Sequence, residues 1–368
     1  MIGGPIAFPR FFRRPRRPRF GIAFLFAFIC IAMLSVSCSR TKVRKYSRTE
    51  LMFGTVCRIS LVDTSGELDG DAALEETFSR LADIEKRISR TQAGSEISSV
   101  NGQAGTAPVA VSEETYELVK TALQYARLTD GAFNPAIGPL VSLWGINTET
   151  AKVPSDEEIS RVLPLLDWRE VVLDDAEHTI FLPRQGMSLD LGGIGKGYAA
   201  DVAKATLRRF GASSALVNLG GNILVIGTKP DGEAWRIGLQ DPDSSRGEFF
   251  LSVSLTDGTV VTSGPYERYF VQDGVRYHHI LDASTGYPAV THIASVTIVG
   301  ADSTGADALS TAAFVLGVEP SLALLRTLPG VEAVFLMDDG TIRMSEGLAD
   351  DASRWRLATD RYSVKLGD

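Results

Sequence analysis

Apolar residues at helical spacing predict three helices in the first half of the chain. Residues 71–89 place apolar side chains on one face, which is typical of an amphipathic helix that packs against a core. Ser112 stands where it would cap a second helix. Ser155 and Glu158 have the spacing of a capping box ahead of a third helix.

Alternating and continuous apolar runs predict strands along the rest of the chain. Residues 51–62 are strand-like with an interruption at Gly54 and Thr55, and residues 171–182 resemble a hairpin. Two apolar strands flank Gly220 and Gly221. Further strands are predicted over residues 235–239, 249–255, 269–271 and 294–299, helices over 306–318 and 321–328, and a last hairpin turns at 338–340. This mixed order favours an α+β fold, with mixed sheets and flanking helices, over a strict βαβ series.

One glycine-rich stretch, SLDLGGIGKGYAAD over residues 188–201, begins within a strand-like segment (187–191) and leads into a helical pattern. It is not a P-loop, because Gly197 follows Lys196, and it is not a dinucleotide fingerprint, because Tyr198 replaces the third glycine. Bare backbone between a strand and a helix lets a ligand approach closely and points N–H groups at an anion. A tight turn with close helix packing explains the glycines equally well.

Asp307 and Thr311 lie four residues apart in a predicted helix, so their side chains share one face. A carboxylate and a hydroxyl there can bind one Mg²⁺ ion, which prefers oxygen ligands and completes its shell with water and phosphate. On spacing alone, an aspartate favoured by the helix dipole beside a packed threonine is the simpler explanation.

The N-terminal segment predicts export. A basic, proline-rich head precedes an uncharged apolar run over residues 20–36, which is short for a spanning helix of ~20 residues. Small residues then lead to Cys38, as in a bacterial lipoprotein signal whose cleavage leaves a lipidated cysteine; an uncleaved anchor helix is the alternative. Both place the domain outside the cytoplasmic membrane. We therefore predict a signal over 1–37, a polar tether over 38–50 and one domain over 51–368.

Charge and cysteine content narrow the class of protein. The formal net charge is −8 although six arginines lie in the first 37 residues, so the rest of the chain is more acidic still and nucleic-acid binding is excluded. Cys30 lies in the apolar run and Cys38 would carry lipid, which leaves Cys57 without a disulfide partner. Cys57 alternates with apolar neighbours, so we predict a buried structural thiol.

Seven short motifs follow one another along most of the predicted domain. They are MFGT (52–55), SEISSVN (95–101), GAFNPAIGPL (131–140), DLGGIGKGY (190–198), SGPYERYF (263–270), HILDASTGYP (279–288) and ADALSTA (306–312). Each motif alone is weak, but in this order they resemble the ApbE family, the FAD:protein FMN transferases. The resemblance spans residues 51–336 and implies the T-fold-related α+β architecture of that family.

The resemblance implies a phosphate and metal site in the glycine-rich stretch. Asp190 and Lys196 would contact FAD, and the backbone carbonyl of Gly193 would ligate Mg²⁺ beside Asp307 and Thr311. The bare backbone would then let one carbonyl oxygen hold the metal against the FAD pyrophosphate.

The resemblance also implies a flavin site and a candidate base. Phe53 would lie against the flavin, where the family usually has Met. Leu281 would touch the cofactor beside His279, the family's candidate catalytic base. The family's Ala-Phe-Asp flavin segment, with Asn here in place of Asp, corresponds to Ala132, Phe133 and Asn134.

The implied reaction is the Mg²⁺-dependent transfer of FMN from FAD to a Thr or Ser hydroxyl of an exported acceptor protein, with release of AMP. The acceptor would carry a Thr-Gly-Ala type motif, as redox-pump subunits do. Two alternatives stay open. The first is an FAD pyrophosphatase that gives FMN and AMP, because Thr91 replaces an aromatic ring that shields the flavin from water in many relatives. The second is a non-catalytic flavin-binding lipoprotein.

Overall fold

The computed structural model describes residues 1–4, 43–245 and 247–365. The chain divides into two units, residues 1–42 and 43–368, and the described part of the first has no regular structure. Most of the predicted signal, Cys38 and the first part of the predicted tether lie outside the described residues. No helix in the described part of the chain is long and apolar enough to span a membrane.

A nine-stranded sheet forms the centre of the second unit. Its strands, in order across the sheet, are β1 (Arg44–Met52), β2 (Thr55–Asp63), β6 (Ala215–Leu219), β7 (Asn222–Ile226), β10 (Gly258–Ser263), β13 (Ile293–Gly300), β14 (Glu332–Met337), β15 (Thr341–Met344) and β17 (Ser363–Lys365). Neighbouring strands are antiparallel except β15 and β17, which are parallel.

Both faces of the middle part of this sheet are buried, whereas the edge strand β1 is largely exposed. Three helices cover one face: α1 (Gly70–Ile88), α6 (Gly195–Arg209) and α7 (Ser303–Leu316). A three-stranded sheet covers the other face and consists of β8 (Trp235–Gln240), β9 (Phe249–Leu255) and β16 (Trp355–Leu357). Successive strand residues therefore enter different cores: Val260 packs with the small sheet and Val261 with α7.

The remaining described elements complete the second unit. The helices are α2 (Glu96–Gly102), α3 (Glu113–Leu128), α4 (Gly138–Trp144), α5 (Asp156–Val162), α8 (Val318–Leu325) and α9 (Glu346–Ala349), with 3₁₀ turns at Leu163–Leu166 and Trp168–Glu170. The strands are β3 (Val109–Ala110), β4 (Val172–Asp174) and β5 (Thr179–Phe181) in one small sheet, and β11 (Tyr269–Gln272) and β12 (Val275–His278) in a two-stranded hairpin.

The predicted α+β class is confirmed, and so are many of the local elements. Ser112 caps α3 by accepting from the Thr115 N–H, and Ser155 forms the predicted capping box with Glu158 at the start of α5. Helix α1 and the hairpin of β4 and β5 lie where the patterns placed them. Cys57 is fully buried and unpaired, and burial raises the pKa of its thiol to about 11.

Two predictions near the N-terminus and the glycine stretch are wrong, and a third is shifted by one residue. The tether predicted over 38–50 is strand β1 from Arg44 onward, whose charged residues are typical of an edge strand. The strand-like segment over 51–62 is confirmed as the end of β1 and most of β2, and its interruption lies one residue earlier than predicted, because Phe53 and Gly54 form a two-residue turn with φ of 54° and 67°. Residues 187–191 are not a strand, since Ser188 and Asp190 bond to Gly138 and Pro135, at and just before the start of α4, instead of to a neighbouring strand.

Candidate active site

The residues predicted to bind FAD and metal lie around one cavity of about 1110 Å³. Cys38, the predicted lipidation site, lies outside the described residues. The predicted residues that line the cavity are Phe53, Ala132, Phe133, Asn134, Asp190, Gly193, Lys196, His279, Leu281, Asp307 and Thr311. The fold therefore brings together positions from 53 to 311, while the chemical role of each stays a prediction.

Close packing of α6 against α7 places Lys196 beside Asp307. A Cβ on Gly197 would lie 2.2 Å from the Ser303 carbonyl oxygen and 2.8 Å from the Asp307 Cβ, so glycine allows this approach. The Gly197 N–H donates to Asp307 Oδ2 at 2.9 Å, and Lys196 Nζ lies 3.4 Å from Asp307 Oδ1. The start of α6 therefore offers an ammonium group and a helix N-terminus at the wall of the cavity.

Oxygen donors that suit a hard cation adjoin this contact. A Cβ on Gly193 would lie 3.1 Å from Thr311 Oγ1, so the Gly193 backbone closely approaches that hydroxyl. Thr311 Oγ1 donates to the backbone carbonyl of Asp307 at 3.3 Å, and Asp307 is 3% exposed. Within the described ranges, no group of three or more His, Cys, Asp and Glu could hold a metal. One carboxylate, one hydroxyl and one carbonyl fit Mg²⁺ whose shell is completed by phosphate oxygens.

Arg90, which sequence reasoning missed, holds Asp190 in place. Its Nε lies 2.8 Å from Asp190 Oδ2, while the Gly192 N–H donates to Asp190 Oδ1 at 2.8 Å. The two Nη atoms of Arg90 donate to Ser142 Oγ at 3.2 and 3.0 Å. Arg90 lines the cavity and links the end of α1 to α4 and to the glycine stretch. No residue spacing indicated this pairing, because the two partners are 100 positions apart.

Phe53 reaches the cavity from the turn between β1 and β2. Its φ of 54° is unusual for a non-glycine residue, and left-handed backbone costs such a residue roughly 1–2 kcal/mol. The Phe53 N–H donates to Glu85 Oε1 at 2.5 Å, so a carboxylate of α1 stabilises the turn. Glu85 also lines the cavity and was not predicted. Strained residues of this kind cluster at functional sites.

The segment of Ala132, Phe133 and Asn134 is fixed by its own hydrogen bonds. Asn134 Nδ2 donates to the Leu166 carbonyl at 2.8 Å, and Asn134 Oδ1 accepts from the Ala136 N–H at 2.8 Å. An aspartate has no N–H group to donate to Leu166, which gives a physical reason for asparagine here. The side-chain amide of Asn134 thus holds the loop, and Phe133, which is 3% exposed, packs beside it.

His279 follows β12 and has a defined tautomer. Its Nδ1 lies 3.2 Å from the Arg268 carbonyl oxygen, which also accepts from the His279 backbone N–H at 3.1 Å. Because a carbonyl oxygen only accepts, Nδ1 carries the proton and Nε2 keeps its lone pair. Burial, with the nearby Arg268 charge, lowers the pKa of His279 to about 4, so the ring is neutral at pH 7.

Four further residues complete the description of the cavity wall. Leu281 is buried and packs with Trp144, whose indole N–H donates to the Gly286 carbonyl at 2.8 Å. Thr91 lines the cavity and is exposed, so no aromatic ring covers the site at that position. Glu267 and Arg268, just before β11, also line the cavity.

Comparison with a family model and with curated proteins points to a single family. Residues 53–335 match the model of the ApbE family. The chain is 44% identical over 351 residues to the FAD:protein FMN transferase of Treponema pallidum, covering 92% of this chain and 96% of that protein. It is 37% identical over 302 residues to an FAD:protein FMN transferase of Klebsiella pneumoniae, covering 82% and 92% of the two chains.

Solved structures show the same likeness. The ApbE protein of Thermotoga maritima superimposes with a TM-score of 0.76 at 38% identity, covering 83% of this chain and 98% of that one. The flavin transferase ApbE of Vibrio cholerae superimposes with a TM-score of 0.73 at 29% identity, covering 84% and 99%.

Proposed function

This chain belongs to the ApbE family, and on that premise we propose that it is an enzyme that transfers FMN from FAD to a Thr or Ser hydroxyl of an acceptor protein, releasing AMP. The main observation in support of this proposal is that one cavity is lined by Lys196, Asp307, Thr311 and His279. A passive flavin carrier has no need for a carboxylate and a hydroxyl aligned with an ammonium group and a neutral imidazole.

The chain's own groups would orient the FAD pyrophosphate. Lys196 and the N-terminus of α6 offset its negative charge, and Phe53 and Phe133 provide apolar contact for the flavin. The residues that would hold Mg²⁺ are Asp307, Thr311 and the Gly193 carbonyl; when bound, the ion supplies charge neutralisation and Lewis acidity. Positioning and electrostatics account for most of the catalysis in phosphoryl transfers of this kind.

His279 would accept the proton of the acceptor hydroxyl. Its Nδ1–H is committed to the Arg268 carbonyl, so Nε2 is the basic atom, and a ring that is neutral at pH 7 is able to take a proton. The hydroxyl oxygen then bonds to the flavin-side phosphorus, the P–O bond of the pyrophosphate breaks, and AMP leaves with the bonding electron pair.

Thr91 supports hydrolysis as a second activity of the same site. It is exposed at the cavity, where a ring would shield the flavin from water. Water in place of the acceptor hydroxyl gives FMN and AMP. Incubation with FAD and Mg²⁺ alone separates the two reactions, since rapid AMP release without acceptor indicates hydrolysis.

We further propose that the enzyme acts outside the cytoplasmic membrane, anchored through lipid on Cys38. The apolar run and small residues before Cys38 support this placement. The acceptor would be an exported protein with a Thr-Gly-Ala type segment, such as a redox-pump subunit. Mass spectrometry of the mature protein would reveal a diacylglycerol adduct on Cys38.

The metal assignment is tested by Asp307→Ala and the isosteric Asp307→Asn. Both variants remove the carboxylate charge, so we expect Mg²⁺-dependent AMP release from FAD to fall on the order of 100-fold or more. Asn keeps the shape of the side chain, and its thermal unfolding should match that of the wild type. Wild-type AMP release by a folded Asp307→Asn enzyme would refute the assignment.

A further inference from the structure

The hairpin of β11 and β12 rises directly from the wall of the cavity. Arg268 precedes β11 and His279 follows β12, and both line the cavity. The two bonds from His279 to the Arg268 carbonyl close the base of the hairpin. Any protein that contacts the hairpin is therefore held next to the proposed base.

One side of the hairpin is anchored to the body. Phe270 stacks on Tyr277 with ring centroids 5.3 Å apart, and Trp144 lies 6.4 and 5.5 Å from these two rings. An isolated two-stranded ribbon is only marginally stable in water. Packing of these aromatic rings therefore makes the hairpin a rigid platform.

The opposite side, which we call the front face, consists of Tyr269, Val271 and Arg276. The register pairs Val271 with Arg276, and Tyr269 lies two residues from Val271, so all three point the same way. Tyr269 is 42% exposed and Val271 is 60% exposed, and the Arg276 guanidinium lies 4.4 Å from the centre of the Tyr269 ring. His278 is the fourth residue on this side, but its ring turns inward to the Ala289 carbonyl. The front face therefore consists only of the other three residues.

We propose that the front face is the docking surface for the acceptor protein. The inference rests on the proposed transfer reaction, which requires a protein hydroxyl to reach His279. Tyr and Arg, together with Trp, are enriched among the residues that dominate binding energy at protein interfaces. The partner is a folded protein that presents an apolar patch to Val271 and a carboxylate to Arg276. The cavity then selects the hydroxyl, and the front face selects the protein that carries it.

Val271→Glu and Arg276→Glu test the proposal with two probes. One is a folded exported redox-pump subunit with a Thr-Gly-Ala segment, and the other is a synthetic peptide of that segment. We expect kcat/KM for flavinylation of the folded protein to fall about tenfold or more. Peptide flavinylation and FAD affinity should change less than about twofold, and Arg276→Lys should keep most of the activity.

Val172→Glu is the matched control, because Val172 is 53% exposed on β4 in a different sheet. Unchanged flavinylation of the folded protein in both front-face variants would overturn the proposal, as would an equal loss in Val172→Glu or a parallel loss of FAD affinity. Wild-type enzyme that modifies neither probe would instead contradict the proposed function. If the wild type modifies the folded protein but not the peptide, the peptide cannot serve as a control. Unchanged FAD affinity then shows that the cavity of each variant is intact.

Discussion

His279 shows how a single carbonyl group sets the state of a candidate base. The Arg268 carbonyl fixes the proton on Nδ1, and burial keeps the ring neutral at pH 7. The sequence motif predicted His279 as a candidate base. The motif alone, however, does not determine the tautomer of the ring or its low pKa. Both depend on the closure of a hairpin and on the walls of the cavity around it.

The pH dependence of AMP release tests this assignment. We expect kcat/KM for FAD to stay level from neutral pH to about 5 and to fall as pH drops through about 4, because His279 then takes a proton. Negative charge on bound FAD favours the protonated ring, so the acid limb of kcat should lie at higher pH. An acid limb of kcat/KM near the ordinary value of ~6.5 would contradict the assignment.

The same low pKa has a consequence for stability that must be measured in parallel. The unfolded chain binds a proton at His279 near ~6.5, whereas the folded chain does so only near 4. The folded state therefore loses stability as pH falls between these two values. Circular dichroism at each pH separates this loss from the catalytic limb.

Arg90→Gln tests whether Arg90 positions Asp190. Loss of the guanidinium removes the 2.8 Å contact with Asp190 Oδ2, so we expect KM for FAD to rise roughly tenfold with little change in kcat. Arg90→Lys should recover part of the loss. Ser142→Ala removes the Nη contacts and the bond from Ser142 Oγ to the Gly138 carbonyl but leaves the Asp190 contact, so it serves as the control. Equal effects of Arg90→Gln on kcat and on KM would show that Arg90 does more than position its partner.

At the scale of elements, the start of α7 is held by an unusual pair of acids. Asp302 caps the helix by accepting from the Gly305 N–H at 2.8 Å. Asp201 of α6 accepts from the backbone N–H groups of Ser303 and Thr304 at 3.1 and 2.8 Å. Burial, with the adjacent Asp302 carboxylate, raises the pKa of Asp201 to about 7. This pair links the two helices that carry Lys196 and Asp307.

Asp302→Asn should change the pH dependence of stability. The unfolded Asp201 loses its proton near its ordinary pKa of 3.8 and the folded one near 7, so its contribution is complete below 3.8 and is lost as pH rises through 7. Asparagine caps helices about as well as aspartate but carries no charge. Urea unfolding should therefore show the variant gaining stability relative to wild type between pH 5 and pH 8. A constant difference would contradict the coupling.

Three of the strands that sequence patterns missed lack a clear local signal, each for its own physical reason. Strand β1 is polar because it lies at the edge of the sheet, where charged residues prevent further pairing, so its composition resembled a tether. Strands β10 and β12 were not predicted: Gly258–Ser263 is buried on both faces and has little alternation, and Val275–His278 has only four residues. Capped helices and Gly-containing turns were predicted well because their signals are local.

For the whole molecule, the motifs predicted membership of a family and the set of residues at the cavity, but not how they meet. Asp307 and Lys196 were named separately, and only the packing of α6 on α7 through Gly197 places them 3.4 Å apart. Glu85 escaped prediction because helix α1 looks like an ordinary amphipathic helix, and Arg90 because it lies in the loop that follows this helix. Their roles depend on contacts with a turn and a loop far away in the chain.

The group that orients His279, a backbone carbonyl, is uncharged, and an uncharged group suits a site that is proposed to bind a polyanion. A carboxylate partner would make the imidazole more basic but would also repel the incoming pyrophosphate. The peptide oxygen of Arg268 sets the ring without that repulsion. It is also independent of the side chain at 268, so substitution there can alter affinity for the nucleotide while leaving the geometry of the base intact.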